Sequence, residues 1–444
     1  MTKAQQYYLD KYQIDIAKLY SLPSLALKIY RAHFMPQDIK GIPTMKSYID
    51  GFIRKGYIGG AVDIYKEHGE DMKHYDVNSL YPYAQSMEMP FECLGFRSQI
   101  ESLDNFFGFL EVEVDCPLDM SKPMLPLRED NKTIFPVGKW KGIYFSEELK
   151  AMLPLGYKFK LLSGYEFSKM ILFDKYVNHF FDKKKSAIGP ERLIAKLLLN
   201  SLYGIFGRKL DNMTPLIIKN KDIPVLAATV KISTMMHISK TYTLVILDLN
   251  KPSTMLKDLN SQILTEINSF RLDVKSNVAI AAAITAYARI HMMPIKLLYD
   301  CYYSDTDSTY TLVDIGKVAP HFVGPELGQL KDELGGATID EALFLGIKQY
   351  GYTYKDPEGK QIDKSVWAGV ERDSITFDEI RSLAKAEVIQ KESKPRFHRN
   401  ISDLSLTIKP VKFKVNRALL PKGLHKGLKR LVNNQYLPPV VGIP

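Results

Sequence analysis

The sequence predicts a mixed α+β fold, and three observations support this prediction. Long segments with apolar residues at helical spacing alternate with short β-branched and aromatic runs that are bounded by turn-forming residues. The chain has 444 residues, enough for two to four domains or one large modular fold. Hydrophobic residues make up 45% of the chain, which suits a sizeable core and excludes a disordered, tail-like protein.

Four long segments are predicted to be helical. Residues 5–33 and Ser276–Met293 carry apolar residues at helical spacing, and residues 166–187 carry aromatic residues at a similar spacing. The segment 189–207 has proline at its second position and glycine at its last, which is typical of a helix. A shorter helix is predicted to begin at Ser146, which is a good N-cap residue and precedes two glutamates.

Short strands are predicted between these helices. Residues 57–65 contain a glycine turn followed by a strand, and His74–Val77 has the pattern of a second strand. Phe109–Val114 alternates apolar and acidic residues, which predicts a strand with one solvated face. Leu298–Tyr303 and Ser308–Val313 are two β-prone runs separated by Ser-Asp-Thr-Asp, and this arrangement predicts a hairpin.

The charge of the chain is unevenly placed. Sixty basic and fifty acidic residues give a net charge of +10. The last 54 residues contain twelve basic residues against only Glu392 and Asp403, so this segment carries the whole excess. A basic block suits a solvated tail, a membrane-surface patch or a polyanion site, and composition does not choose among them.

The cysteines and the N-terminal segment bear on the compartment. Cys93, Cys116 and Cys301 are odd in number and scattered, so they fit neither a disulfide framework nor a zinc site. The first twenty residues lack a signal-peptide or transit-peptide pattern, and no run of 18 apolar residues occurs. The sequence therefore predicts a soluble protein with no membrane partner that acts where it is made.

Two aspartates at the tip of the predicted hairpin suggest metal chemistry. Asp305 and Asp307 are two residues apart and can point to the same side, where like charges repel unless a cation lies beside them. Asp76 also ends a predicted strand. Two divalent cations held by carboxylates from separate strands would form a phosphoryl-transfer site. The alternative is an ordinary Asp-rich turn, since Asp and Ser favour turns on their own account.

A second set of polar residues shares one face of the helix predicted at 189–207. Arg192, Lys196, Asn200 and Tyr203 are three or four residues apart, so they lie above one another on that helix. Cations suit triphosphate oxygens, and an aromatic ring suits a nucleobase. The alternative is the ordinary solvated face of an amphipathic helix.

Three motifs in this order resemble the core of B-family DNA polymerases. DVNSLYP at 76–82 is similar to the first palm motif of that family, KLLLNSLYG at 196–204 to the finger-helix motif, and YSDTDS at 303–308 to the second palm motif. YIGG at 57–60 resembles the YxGG element of the protein-primed members. The stretches FPVGKWKGIYFSEELK and SLPSLALKIYRAHF are similar to polymerases of fungal mitochondrial linear plasmids. The resemblance runs from about residue 20 to residue 385.

This resemblance implies a right-hand palm–fingers–thumb polymerase core with protein-primed-type insertions. In chain order the implied parts are a helical connector left from a missing exonuclease domain at 1–56, the first part of the palm at 57–92, an insertion resembling terminal-protein region 1 at 93–165, the fingers at 166–208, an insertion resembling terminal-protein region 2 at 209–275, the second part of the palm at 276–385, and a basic thumb at 386–444.

The resemblance also implies a catalytic centre with two Mg²⁺ ions, for which Mn²⁺ is a substitute. Asp76, Asp305 and Asp307 match the catalytic carboxylates. Asp76, Asp307 and the Val77 carbonyl match the metal ligands, and Asp305 matches the supporting acid. Mg²⁺ prefers octahedral oxygen sites with few carboxylates, which suits two aspartates and phosphate oxygens. Tyr81 matches the tyrosine that excludes a ribose 2′-hydroxyl.

Further residues match substrate-binding positions of the family. Those expected to bind the nucleotide are Ser79, Leu80, Tyr81, Arg192, Lys196, Asn200 and Tyr203. Those expected to bind DNA are Tyr57, Gly59, Gly60, Ser201, Gly204, Tyr303, Thr306 and Lys364. The family carries a primer-contacting lysine after the second palm motif, and Trp367 or Ala368 occupies its expected place here. Either Lys364 substitutes for that lysine or primer binding is weaker.

The implied function is template-directed DNA polymerisation by a two-metal mechanism, starting from a primer 3′-hydroxyl or a protein primer. The implied partners are primer-template DNA, deoxynucleoside triphosphates and a terminal priming protein, with the chain itself a monomer. A mitochondrial linear-plasmid DNA is the implied template. The first 56 residues lack the acidic motifs of an exonuclease, so no proofreading is expected from this chain.

Two other functions stay open at this stage. A catalytically impaired remnant that only binds nucleic acid is the first, and the altered lysine element favours it. A nucleotidyltransferase that extends RNA is the second, and Tyr81 disfavours it.

Overall fold

The computed structural model describes residues 2–19, 21–129, 132–208, 213–252, 276–400, 405–417, 430–431 and 435–436. Its helices are α1 Thr2–Tyr12, α2 Leu22–His33, α3 Ser47–Lys55, α4 Leu80–Gln85, α5 Ser146–Met152, α6 Asp174–Ser186, α7 Gly189–Phe206, α8 Ile223–Thr229, α9 Val278–Leu298, α10 Ile315–Val318 and α11 Phe377–Ala384. The predicted α+β class is confirmed, because strands occur along the whole described chain.

The first eleven strands precede α9. They are β1 Val62–Ile64, β2 His68–Val77, β3 Glu88–Arg97, β4 Gly108–Cys116, β5 Leu127–Glu129, β6 Lys132–Ile134, β7 Gly138–Phe145, β8 Lys158–Ile171, β9 Met213–Lys219, β10 Val230–His237 and β11 Tyr242–Pro252. The strands that follow α9 are β12 Cys301–Asp305, β13 Ser308–Thr311, β14 Leu330–Asp332, β15 Ile339–Gly346, β16 Gln349–Lys355, β17 Gln361–Trp367, β18 Ile389–Glu392, β19 Arg396–Asn400, β20 Ser405–Lys409, β21 Lys412–Val415, β22 Arg430–Leu431 and β23 Gln435–Tyr436.

An eight-stranded sheet forms the centre of the molecule. Its strand order is β1-β12-β13-β2-β15-β16-β17, and β14 adds to β2. All of its paired strands are antiparallel. Three distant parts of the chain therefore meet side by side, because β2 lies more than 200 residues before β13.

Helix α9 is the core helix beneath this sheet. Residues Val278–Ala288 of α9 are almost entirely buried, packed together with apolar residues of α2, α6 and α7. Among the described helices α9 alone has the length and hydropathy to span a membrane, and 72% of its most apolar window is buried inside the fold. Its apolar composition is thus explained by its position in the core.

Two smaller sheets flank the central one in sequence. Strands β3, β8, β4 and β7 form a four-stranded sheet in the order β3-β8-β4-β7, and its own core includes Trp140 and Tyr144. Strands β9, β10 and β11 form a three-stranded sheet in the order β10-β11-β9 within the segment 209–275, for which the sequence gave no assignment. Residues 253–275 of that segment lie outside the described residues.

Several local predictions are confirmed. The hairpin at the Ser-Asp-Thr-Asp turn is formed by β12 and β13, and α7 spans the predicted 189–207 segment. Residues 5–33 form α1 and α2, which are separated by a short 3₁₀ turn. Strand β4 has the predicted alternation of buried and exposed residues toward its end.

Two local predictions are wrong. Residues 166–187 are not one helix, because β8 continues to Ile171 and α6 begins only at Asp174. Ser146 is not an N-cap, since the cap of α5 is Phe145. The Ser146 hydroxyl is fully buried and accepts the backbone N–H of Gly108 at 3.1 Å, so a tertiary contact overrides the local preference.

The basic C-terminal segment is described only in part. Strand β18 pairs with β21, and β19 pairs with β20 as a hairpin. Lys422, Lys426 and Lys429 lie outside the described residues, as does the proline-rich end of the chain.

Candidate active site

The central sheet brings Asp76 and Asp307 together. Asp76 is the next-to-last residue of β2, and the strand register pairs it with Ser308, the first residue of β13. The backbone N–H of Val77 donates to the carbonyl of Asp307 at 2.8 Å. Thr306 adopts a left-handed conformation with φ of 65°, which makes the turn tight enough to hold Asp307 beside β2. Both aspartates line one cavity.

The two aspartates lie in a site that disfavours negative charge. Burial raises the pKa of Asp76 to about 7, and the neighbouring Asp307 and Glu333 raise it further. Burial, together with Asp305 and Glu333, also raises the pKa of Asp307. Carboxylates become favourable at such a place when a cation neutralises them. The arrangement is therefore suited to holding cations rather than to forming an ordinary turn.

The cavity around these aspartates has a volume of about 520 − 50, that is 470 Å³. Nine of the residues predicted for the site line it, namely Asp76, Val77, Ser79, Tyr81, Arg192, Lys196, Asn200, Tyr203 and Asp307. The remaining lining residues are Asn78, Pro82, Lys184, Lys331 and Glu333. The structure thus combines acidic groups from the sheet with cationic groups from the helices in one space.

Helix α7 supplies the cationic and aromatic wall of the cavity. Its opposite face packs into the core through Ala195, Leu198 and Leu202, which fixes the direction of the polar face. In the part of the chain that the structure describes, Arg192 and Lys196 form no salt bridge with any carboxylate. Two unpaired cations that face a cavity are available to bind an anion.

Tyr81 forms the floor of the cavity next to the YIGG segment. Its ring lies 4.5 Å from the ring of Tyr203, measured between centroids. Gly60 lies against it so closely that a Cβ atom there would be 2.5 Å from Cγ2 of Thr306 and 2.8 Å from the Tyr81 hydroxyl. The glycine is therefore required for the close approach of Tyr81 and the β12–β13 turn.

The other residues of the YIGG segment are held by neighbouring helices. Tyr57 packs against Gly207 at the end of α7, where any added Cβ would overlap its hydroxyl. The carbonyls of Ile58 and Gly59 accept hydrogen bonds from Arg289 at 2.6 and 2.7 Å. This segment connects the cavity floor to the core helix α9.

Several predicted residues lie outside the cavity lining. Leu80 is buried in the core, and the hydroxyl of Ser201 donates back to the carbonyl of Leu197 in its own helix. Gly204 is exposed near the end of α7. Tyr303 is fully buried in the sheet, and its hydroxyl contacts the carboxylate of Asp305 at 3.5 Å. Asp305 itself is directed away from the cavity toward a lysine.

That lysine is Lys348, which the sequence reasoning missed. Its ammonium group lies 2.6 and 2.7 Å from the two carboxylate oxygens of Asp305, and its backbone N–H donates to the Tyr303 hydroxyl at 3.1 Å. Lys364 lies instead on β17, the edge strand, with its ammonium group 3.4 Å from Asp373. A lysine in the turn between two strands after the second palm motif was the available signal.

Lys184 is a second residue that the sequence reasoning missed. It lies near the end of α6 and donates to the Ser79 hydroxyl at 3.0 Å. Burial lowers its pKa, and the nearby cations Lys196 and Arg192 lower it further. Three consecutive lysines before the motif helix were the signal for this position, but their number did not show which one faces the cavity.

Comparisons with known proteins agree with this geometry. The family model described as "DNA polymerase type B, organellar and viral" matches residues 1–296. A "Probable DNA polymerase" of Neurospora intermedia is 33% identical over 377 residues, which are 81% of this chain and 36% of that protein. One of Podospora anserina is 31% identical over 85% of this chain and 32% of its own length. The chain thus spans about a third of the length of these relatives.

Solved structures show the same fold. Phi29 DNA polymerase complexed with primer-template DNA matches with a TM-score of 0.65 and 18% identity, covering 93% of this chain and 70% of that one. Its complex with primer-template DNA and incoming nucleotides matches with the same TM-score over 90% of this chain. The predicted palm–fingers–thumb fold is confirmed by this similarity.

Proposed function

The chain belongs to the organellar and viral DNA polymerases of type B, and on that premise we propose that it is a template-directed DNA polymerase. One observation carries this proposal. Two buried aspartates of the central sheet share a cavity with three cations and two tyrosines of the surrounding helices. Carboxylates for metal ions, cations for a triphosphate and rings for a base and sugar are the groups that nucleotide addition needs.

The proposed reaction joins the primer to the α-phosphate of a deoxynucleoside triphosphate. The 3′-hydroxyl oxygen forms a bond to the α-phosphorus, the bond from that phosphorus to the bridging oxygen breaks, and pyrophosphate leaves with the electron pair. Arg192, Lys196 and Lys184 bind the triphosphate oxygens, because they form the cationic side of the cavity. Tyr81 and Tyr203 hold the sugar and the base.

The donor atoms fit divalent cations such as Mg²⁺. We propose that Asp76, Asp307 and the Val77 carbonyl hold two such ions together with phosphate oxygens. Within the described residues no group of three or more His, Cys, Asp or Glu side chains could hold a metal, and few carboxylates are what Mg²⁺ sites on phosphate substrates use. When bound, the ions lower the pKa of the primer hydroxyl and offset the charge on the leaving pyrophosphate.

Primer extension on a defined template tests the proposal. We expect purified protein to extend a labelled DNA primer with deoxynucleotides chosen by the template. Duplex binding without extension, equal in the unchanged protein and in Asp76→Asn, would contradict the proposal and identify a binding remnant.

Tyr81→Val is expected to relax sugar selection. The smaller side chain opens space beside the sugar, so incorporation of ribonucleotides relative to deoxynucleotides should rise by about ten- to a hundredfold. Competition between the two nucleotide types in primer extension measures this ratio. Tyr83→Val is the matched control, because Tyr83 is on the same helix but its ring packs against His291 outside the cavity. An unchanged ratio in Tyr81→Val would remove its proposed role.

Lys348→Met is expected to weaken use of the primer. We propose that Lys348, rather than Lys364, contacts the primer strand, because it lies beside the β12–β13 turn and its side chain is about half exposed. Loss of one charged contact should lower primer affinity about tenfold. Binding of labelled primer-template DNA measures it. Lys364→Met is the matched control, and a larger loss in that variant would contradict the assignment.

The biological setting is also part of the proposal. The relatives named above come from fungi, and the sequence resembles polymerases of fungal mitochondrial linear plasmids, so we propose replication of a linear plasmid-like DNA in the mitochondrion. The four-stranded and three-stranded sheets fall in the two segments predicted as insertions. We propose that these sheets contact a terminal priming protein and that one monomer does so.

We further propose that this chain does not proofread. The described residues provide one acidic cavity, and it faces the triphosphate-binding cations. Incubation with a mismatched primer and divalent ions should leave the primer intact, and its metal-dependent 3′–5′ shortening would overturn this.

A further inference from the structure

A second cavity adjoins the catalytic one and belongs to no role assigned so far. Its volume is about 520 Å³. Four residues line both cavities and form a common wall, namely Asn78, Lys184, Arg192 and Lys331. Asp76 and Asp307 are absent from the lining of the second cavity. It therefore begins at the cationic side of the catalytic cavity and extends away from the metal-binding aspartates.

The second cavity is rich in cations. Lys185 lines it in addition to the three shared cations, and does not line the catalytic cavity. Lys184 and Lys185 are successive residues of α6, so their side chains diverge by about 100° and can serve different cavities. The cations on the wall crowd one another, since Arg192 and Lys196 act on Lys184 to lower its pKa. An anion placed here would relieve that repulsion.

The acidic groups near the second cavity do not cancel these cations. The carboxylate of Asp332 accepts the backbone N–H groups of Leu334 at 2.9 Å and Gly336 at 2.7 Å, so it is turned toward its own loop. Glu326 pairs with Lys185 at 2.7 Å, but both side chains are substantially exposed. An exposed ion pair contributes little, so Lys185 can exchange Glu326 for a more highly charged anion.

We propose that this second cavity binds the pyrophosphate released by nucleotide addition. The inference rests on the proposed polymerase function, because that reaction produces pyrophosphate beside the shared wall. Pyrophosphate that moves across the wall leaves the aspartates, keeps the contacts of Lys184 and Arg192, and gains Lys185. The nucleoside part stays behind, joined to the primer. Free pyrophosphate from solution has the same chemistry and can enter from the other side.

Lys185→Ala in the full chain tests this assignment. Calorimetric titration with inorganic pyrophosphate in a Mg²⁺ buffer should show binding to the unchanged protein and about tenfold weaker binding to the variant. Inhibition of primer extension by pyrophosphate should weaken by a similar factor, while the KM for deoxynucleotides stays the same. Lys175→Ala is the matched control, because Lys175 is an exposed lysine of α6 that lines neither cavity.

Each result separates the two proposals. Unchanged pyrophosphate affinity in Lys185→Ala, or an equal loss in Lys175→Ala, would overturn the assignment. A KM for deoxynucleotides that rises in parallel would also overturn it, because the cavity would then hold the incoming triphosphate. Binding of pyrophosphate that depends on Lys185 in a protein that extends no primer would support the cavity and contradict only the polymerase function.

Discussion

Asp307→Asn should abolish primer extension and yet stabilise the metal-free protein. Asparagine keeps the size of the side chain but removes a charge that the proposed mechanism needs for its divalent ions. Loss of such a catalytic group lowers rates by about three orders of magnitude or more. The same charge is unfavourable without metal, because burial and Asp305 raise the pKa of Asp307. Removing it also relieves Asp76, whose pKa is raised by Asp307.

The stability effect has a defined pH dependence. A carboxyl whose pKa is higher in the folded than in the unfolded protein binds its proton more tightly when folded, so stability is lost as pH rises through that range. For Asp76 the range extends from its ordinary value near 4 to about 7. The gain in Asp307→Asn should therefore be clear at pH 7.5 and vanish near pH 4.

Thermal melting in a chelating buffer, with and without added Mg²⁺, measures this effect beside the primer-extension assay. Asp300→Asn is the matched control, because Asp300 precedes β12 and forms a partly exposed ion pair with Lys66 at 3.0 Å. We expect little change in that variant. Full activity of Asp307→Asn would contradict the mechanism, and its destabilisation in the absence of metal would contradict the charge repulsion.

The catalytic centre could be predicted because local sequence determines it. The Ser-Asp-Thr-Asp turn needs only two short strands to place Asp307 at a hairpin tip, and the position of Asp76 at a strand end follows from its own neighbours. Arg192 and Lys196 share a helix face by spacing alone. That these groups meet in one cavity was supplied by the motif resemblance and not by spacing.

The contacts that support the centre could not be predicted from spacing. Lys348 reaches Asp305 only because the β15–β16 turn lies beside the β12–β13 hairpin across the folded sheet. The role of Ser146 was wrong because Gly108, from a different strand, binds its hydroxyl more favourably than the helix end does. Partners distant in sequence leave no periodic signal, so resemblance and local propensity are both silent about them.

The same holds for Arg289, which lies at the centre of the largest buried polar network that the described contacts show around the site. Its guanidinium group donates to both carboxylate oxygens of Glu148 at 2.6 and 2.7 Å and to the carbonyls of Ile58 and Gly59. The exposed fractions of the Arg289 and Glu148 side chains are 4% and 1%. One side chain thus joins the core helix α9, helix α5 and the segment that leads to Gly60.

Arg289→Met should be strongly destabilising and should also impair nucleotide binding. The substitution leaves Glu148 buried without a counter-charge and leaves two carbonyls without their donor, which costs about 3–5 kcal/mol of the free energy of unfolding. In the molecules that stay folded, the Ile58–Gly60 backbone is no longer held, so Gly60 can shift from Tyr81 and Thr306. We therefore expect a higher KM for deoxynucleotides, a change that a purely structural defect elsewhere would not produce.

Urea denaturation followed by tryptophan fluorescence measures the loss, with Trp140 reporting on the four-stranded sheet and Trp367 on the central one. Arg97→Met is the matched control, since Arg97 forms an equally short pair with Glu166 at 2.6 Å but its side chain is 51% exposed. Water solvates the partner that remains there, so the cost should be about 1 kcal/mol or less. Adding Glu148→Leu to Arg289→Met removes the stranded charge and should recover much of the stability, yet it cannot restore the donor to Ile58 and Gly59. Recovery of stability without recovery of KM would separate the two tasks of Arg289, whereas equal costs for Arg289→Met and Arg97→Met would show that burial does not strengthen this pair.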